Sequence, residues 1–352
     1  MSKGATRNGY IDIIKFIFAL VITDFHLNTG VFPGGRTVVE GFFMISGYLM
    51  MNNIYKNKNP NDNLGVSTIR FIISKYRGLF PYLFTAIAFS FAFDCIRLER
   101  TLGTAISKIP LLIFDLIPLR EAGFNGDYVI GISWYISAMF LGLAVLYPFC
   151  KKFKSNFVLT VCPFACLIIY GYFSYYYGNM AIASTYLPFS IINSGLLRGF
   201  AGCAAGCIIF EISMRFNNKN ITKFGKSLFT AIEVLGFIYL FITMHNHPLS
   251  RYDFILIFVL FALLFIGING YSYTSKLFNF RCAKYFGTAS MIIVLVHSRL
   301  NTLLMHFYGN GYIHGKAAIY AVCLLVLVCI VWIVSECIDR LLIKLSKIKL
   351  FK

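Results

Sequence analysis

Residues 10–30 read YIDIIKFIFALVITDFHLNTG. A bilayer-spanning helix needs about 20 mostly apolar residues, and this run has that length. Asp12 and Lys15 fall where a signal peptide would need an unbroken apolar centre, and no small-residue cleavage site follows, so the segment is expected to be a retained span. Lys15 and His26 are 11 residues apart. At 100° per residue that places them on one helix face, separated by roughly 16 Å along the axis. Ionisable groups inside a span are costly and mark function by default. The plainer readings are that Lys15 snorkels to the inner headgroups and that His26 sits in the outer interface.

The remaining composition fits such a span. The chain has 352 residues, 58% hydrophobic and 13% charged, with a mean hydropathy of +0.73. Soluble domains are about a quarter charged, so a soluble globular enzyme is excluded. Disorder is excluded too, because it requires low hydrophobicity. The net charge of +18 comes from short Lys/Arg clusters between apolar runs, with no basic face or aromatic motif for nucleic acid. The ten cysteines lie mostly inside apolar segments and contain no CxxC pair, the pattern of small buried hydrophobes rather than of a disulfide framework.

Ten spans are expected, near 10–29, 37–54, 79–97, 131–150, 157–176, 190–211, 227–245, 252–270, 286–307 and 316–337. The run IPLLIFDLIPL within 102–119 is too short to cross and carries Pro110 and Pro118, so it reads as re-entrant or interfacial. With the N-terminus cytoplasmic, 22 of the 32 Lys and Arg fall in inner segments, around Lys3–Arg7, Lys56–Arg77, Lys151–Lys154, Arg215–Lys226, Lys276–Lys284 and Arg340–Lys352. Seven fall outside (Arg36, Arg97, Arg100, Lys108, Arg120, Arg251 and Lys316), and the loop near 177–189 has none. Loop charge sets orientation, so both termini are expected inside. The fold class is all-α, a polytopic membrane protein of one domain over 1–352. No internal repeat is evident.

Several residues need an account. Glu40 opens the second span, RTVVEGFFMISGYLMM, close in the chain to His26. A carboxylate beside an imidazole fixes its tautomer and raises its basicity, as general-base catalysis needs; alternatively, a solvated Glu at a helix start is favoured by the dipole. Ser46-Gly47 reads as a close-packing pair or, less simply, as a nucleophilic Ser, although GxSxG is absent and the local string is MISGY. Trp134 reads as an aromatic-belt anchor. Lys75 and Arg77 precede Pro81 in SKYRGLFPY, as topogenic charge or as a phosphate contact. His297 interrupts MIIVLVH and must face the bundle interior; packing and site roles both stay open. The six histidines match no compact ligand pattern such as HExxH, so no metal is expected.

Together these strings resemble the acyltransferase family 3 membrane proteins, bacterial O-acyltransferases of surface polysaccharides, over nearly the whole chain. That family carries Arg, ten residues, then His in its first span; here Lys15 and His26 stand there. VVEGFFMISGYL matches its acidic–FF–SG string, KYRGLFP its basic stretch before a Pro, Trp134 to Ser137 its W-x-[IL]-S segment, and GTASMIIVLVH its closing G-x-x-S…L-x-H. Two positions depart from the pattern: Lys15 replaces Arg, losing a bidentate contact, and Gly78 stands three before Pro81 where Arg is frequent.

The resemblance implies an acyl group, acetyl above all, passed from cytoplasmic acetyl-CoA to a hydroxyl of an extracytoplasmic or lipid-linked glycan, by a multi-pass protein of the cytoplasmic (inner) membrane. It implies His26 as general base or transient acyl carrier and Glu40 as its orienting carboxylate. Lys15, Lys75 and Arg77 would hold the donor, and Ser46, Trp134, His297 and Arg299 would contact substrate. Acyl-CoA, the acceptor glycan and the bilayer are the expected partners, with no nucleic acid. The rival reading is a proton-coupled carrier of a glycan or polyanion, which the same intramembrane His and Lys would suit. A purely structural subunit leaves those groups unexplained.

Overall fold

The computed structural model describes residues 7–57, 63–124, 128–182, 192–216, 221–248, 250–309 and 313–347. Lys3, Lys58, Lys219, Lys349 and Lys352, most of the cation-free loop near 177–189 and the side chain of His314 lie outside the described residues. Among the described residues twelve α-helices follow one another: α1 (Gly9–Leu27), α2 (Val38–Lys56), α3 (Leu64–Arg97), α4 (Leu102–Lys108), α5 (Ile113–Leu116), α6 (Ser133–Tyr176), α7 (Ser194–Phe216), α8 (Lys223–Asn246), α9 (Tyr252–Ile268), α10 (Tyr273–Phe278), α11 (Ala283–Tyr308) and α12 (Ile313–Lys347). No strand is present among the described residues.

Length and composition qualify six of these as membrane-crossing: α3, α6, α7, α8, α11 and α12, the last over Gly315–Leu345. The protein is therefore a multi-pass membrane protein. Apolar α9 is only 17 residues long, and α1 carries Asp12, Lys15 and Asp24 within its length. Helix α3 starts well before the expected span at 79, because hydropathy marks only the part that suits hydrocarbon. Asn63 continues the helix beyond it by accepting the amides of Gly65 and Val66 at 2.9 and 3.2 Å. The 102–119 stretch forms only short helical turns.

Helix α6 joins the expected spans 131–150 and 157–176 and reverses at Lys154, whose φ is 47° and ψ −132°. The contacts with α7 show the reversal. A Cβ on Gly199 would press on Ala138, Ser155 donates to Glu211, and Cys166 Sγ donates back to the Ala201 carbonyl at 3.3 Å. The chain thus runs down α7 and up again. That φ suits glycine, and a lysine held there stores on the order of 1–3 kcal/mol. Lys154→Gly is accordingly expected to raise the thermal unfolding midpoint in detergent; an unchanged or lower midpoint would show the turn to be unstrained.

Helix α7 lies against α2 and α6, α1 against α11, and α8 against α9. The α2–α7 crossing depends on glycine: a Cβ on Gly47 would land on the Cys203 carbonyl, and one on Gly206 on the Met44 carbonyl. Small residues let membrane helices approach to backbone contact. Gly206→Val should force the pair apart and open Cys203 and Cys207, both fully buried, to maleimide labelling that the native protein resists. Equal labelling would refute the close crossing. Helices α1 and α11 run parallel: Asp12 lies by Gly287 near their starts, and His26 meets His297 farther along. Arg7 clamps Asp12 at 2.5 and 2.8 Å and also donates to the Lys284 carbonyl at 3.1 Å.

Candidate active site

Between α1, α2, α3, α6 and α11 lies an apolar cavity of ≈ 240 Å³. Its polar lining comes from Lys15, Lys75, Ser46, Tyr135 and Ser290. Lys15 and Lys75 belong to different helices, yet both residues line the same space. Ser46 donates to Met139 Sδ at 3.2 Å. Gly78 also lines the cavity, and a Cβ there would meet nothing within 4 Å. Arg77, one residue back, is exposed and borders a separate groove with Arg70 and Ser74. The 100° step between consecutive helical residues separates them, so Arg77 is not grouped with Lys15 and Lys75.

Ile22 and Val294 form part of the cavity wall. About one turn farther along the same two helices stand His26 and His297, with ring centroids 5.1 Å apart. His26 is exposed; His297 is 2% exposed. His297 Nδ1 lies 3.0 Å from the Ile293 carbonyl and 2.9 Å from that of Val294. Carbonyls only accept, so Nδ1 carries the proton and Nε2 presents a lone pair. That Nε2 is buried with no hydrogen-bond partner among the described residues. Buried polar atoms are nearly always satisfied, and an exception calls for a role. A basic nitrogen with a fixed tautomer next to a second imidazole can take and pass a proton.

Glu40 does not meet His26. Its carboxylate is fully buried and binds Arg198 through Oε1, while the Tyr170 hydroxyl donates to Oε2 at 2.7 Å. Arg198 also donates to the carbonyls of Met180 and Ile182, each at 3.1 Å, and to that of Arg36 at 3.3 Å. The Trp134 ring lies 5.3 Å from its guanidinium. Close by, Asp253 takes Arg36 at 3.2 Å, Thr37 Oγ1 at 3.1 Å and the Met180 amide at 2.8 Å. Glu40 and Trp134 thus belong to a buried ionic node that fastens α2, α6, α7 and the 180–182 segment. Charge neutralisation inside the bundle, rather than proximity in the chain, decides Glu40's partner.

Arg299 faces away from the cavity. It binds Asp94 Oδ1 at 3.2 Å and donates to the carbonyls of Tyr128 at 3.0 Å and of Val129. Nearby, outside the long helices, Asp115 accepts the amides of Val129 and Ile130 at 2.8 and 3.0 Å. Burial pushes its carboxyl above the usual range against the pull of those amides and of Arg299 and Arg120. Sequence reasoning missed Arg198, Tyr170, Asp94 and Asp253. It also missed Glu233, fully buried, which accepts the Tyr10 hydroxyl at 2.6 Å. Their one signal was the rarity of charge inside apolar runs. No group of three or more His, Cys, Asp or Glu side chains is gathered for a metal among the described residues.

The long apolar helices define an integral membrane protein, and the interior cavity with the imidazole pair above it is its candidate site. The model of a family described as an acyltransferase domain (Acyl_transf_3) matches residues 8–336, nearly the whole chain, and the protein belongs to that family. Membership makes it a membrane O-acyltransferase with a glycan-type acceptor. No curated protein and no solved structure matches the chain significantly.

Proposed function

We propose that the protein moves an acetyl group from cytoplasmic acetyl-CoA to a hydroxyl of an extracytoplasmic or lipid-linked glycan, in the cytoplasmic membrane, through ten spans with both termini inside. The two limbs of α6 together with α1, α2, α3, α7, α8, α9, α11 and α12 supply ten helical segments, and the loop charges favour that orientation. The observation that carries the reading is the His26–His297 pair, with its unpartnered Nε2, one turn above a cavity that Lys15 and Lys75 border.

In this reading the amines attract the donor's phosphates or hold its pantetheine arm, and the apolar walls take the acyl end. His26 takes the proton of the acceptor hydroxyl. The hydroxyl oxygen attacks the thioester carbonyl, the C–S bond breaks, and the proton passes to the departing CoA thiolate. His297, its Nδ1 tied to backbone, uses Nε2 to orient His26, the task first expected of Glu40. Ser46 and Tyr135 lie on the cavity wall where the acyl group would rest.

Free-thiol release by the purified protein in nanodiscs, given acetyl-CoA with and without acceptor, tests this. An acyltransferase releases CoA only when acceptor is present; a carrier releases none. Charge at residue 15 gives a finer check. Lys15→Arg should keep the rate within about tenfold, whereas Lys15→Ala should raise the donor KM by more than that. If both variants behaved alike, a charge role there would be refuted.

A further inference from the structure

The apolar cavity reaches the outside of the bundle between α2 and α3. Leu49 of α2 and Gly78 of α3 both line it, and both are exposed. The two helices pack chiefly elsewhere, α2 on α7, α6, α9 and α1, and α3 on α11, α12 and α6. Gly78 is unlike the glycines of the α2–α7 crossing. A Cβ on Gly47 or Gly206 would strike backbone, whereas one on Gly78 would meet nothing within 4 Å among the described residues. Close packing therefore does not explain a glycine here, and inside a helix glycine costs stability relative to alanine. Three residues on, Pro81 has no amide to offer the Arg77 carbonyl. Two residues that weaken a helix thus stand together where the cavity opens.

The opening has a defined depth. Helix α3 has 34 residues, about 51 Å at 1.5 Å each, against about 30 Å of hydrocarbon. Loop charge puts Arg97 at the outer end, and 30 Å back along the axis from there lies about residue 77. Gly78 therefore stands at the level of the inner headgroups, where a molecule from the cytoplasm can enter without crossing hydrocarbon. Beyond it the walls are apolar, with Val39, Phe42, Ile132, Ile136 and Val294 leading toward the histidines. The cavity holds ≈ 240 Å³, and a water-sized group takes only about 10–15 Å³ of that measure. An acetyl group fills a small part of it.

We propose that the thioester end of the donor enters between α2 and α3 past Gly78, and that the missing side chain there admits branched acyl groups as well as acetyl. Gly78 is thus a residue that determines donor specificity. The proposal rests on the acyltransferase reading and names the range of acyl groups it covers. The test needs no acceptor. Acetyl-CoA and isobutyryl-CoA are titrated against the full-length protein in nanodiscs, and the half-saturating concentration is read from the thermal shift. The native protein should bind both within about tenfold of each other, and Gly78→Leu should weaken isobutyryl-CoA at least tenfold more than acetyl-CoA, the scale that one crowded methyl group sets. Gly78→Ala should shift the preference the same way by less, and should raise the unfolding midpoint of the free protein.

A second measurement fixes the route. In a Gly78→Cys protein, modification of residue 78 by a charged methanethiosulfonate, read by mass spectrometry, should be suppressed by isobutyryl-CoA. Ile73→Cys, on the separate groove of α3, should be modified equally with and without the ester. Equal weakening of both esters by Gly78→Leu, a lower midpoint in Gly78→Ala, or modification of residue 78 that neither ester slows would overturn the proposal, and so would a native protein that binds acetyl-CoA and rejects isobutyryl-CoA. If both esters bind and are sorted as expected, yet no acceptor brings about thiol release, the transfer reading fails and the donor route stands.

Discussion

His26→Ala will leave the protein inserted and folded and will lower acyl transfer on the order of 10²–10⁴-fold, the contribution of a positioned general base. The side chain is exposed at the end of α1, so its removal opens no cavity and breaks no buried bond. His297→Asn should give a smaller loss with a different signature. It removes the Nε2 lone pair beside His26, so the pH at which the rate rises should move as well as the rate itself. Acetyl content of the surface glycan, read by proton NMR in cells carrying each variant, gives the first check, and thiol release over a pH series gives the second. Full acetylation with His26→Ala would end the general-base assignment. A lower rate with an unmoved pH profile in His297→Asn would reduce His297 to packing.

The largest effect on stability is expected at Arg198. Removing one partner of a buried ion pair leaves the other charge uncompensated and costs about 3–5 kcal/mol. Arg198→Ala strands Glu40, which is fully buried on α2, and also frees the carbonyls of Met180, Ile182 and Arg36. The variant should unfold far earlier in detergent or fail to accumulate. Glu40→Gln is the informative companion. It keeps the shape and an acceptor for Tyr170 but gives up the charge facing Arg198. It should lose thermal stability while the surviving folded fraction keeps its rate per molecule. A Glu40→Gln protein of native stability with no activity would return Glu40 to the orienting role that its nearness to His26 in the chain suggested.

That contrast shows what was legible in the sequence. Apolar runs mark helices because each must hide its backbone from lipid alone, so a single-chain reading recovers them, including both limbs of α6. The shared face of Lys15 and His26 follows from helix geometry, and the separation of Arg77 from Gly78 follows equally well. Pairings between distant helices leave no such trace. Glu40 and Arg198 are 158 positions apart, and nothing local distinguishes Arg198 from a charge near a span end. Asp94 of α3 and Arg299 of α11 are 205 positions apart, so their pairing exists only in the folded bundle. His297 was recognised as interior, but the tautomer that gives it chemistry depends on two carbonyls of its own helix.

The reversal at Lys154 also constrains how the chain is made. With a single residue carrying the turn, the limbs of α6 have almost no slack between them. During synthesis the second limb must follow the first into the bilayer as one hairpin, and α7 emerges only afterwards to contact both. Until then Ala138 and Cys166, which α7 will cover, face lipid. The α6 hairpin therefore waits for its partner, and lengthening the turn or delaying α7 should expose the nascent chain to membrane quality control at that stage of its synthesis.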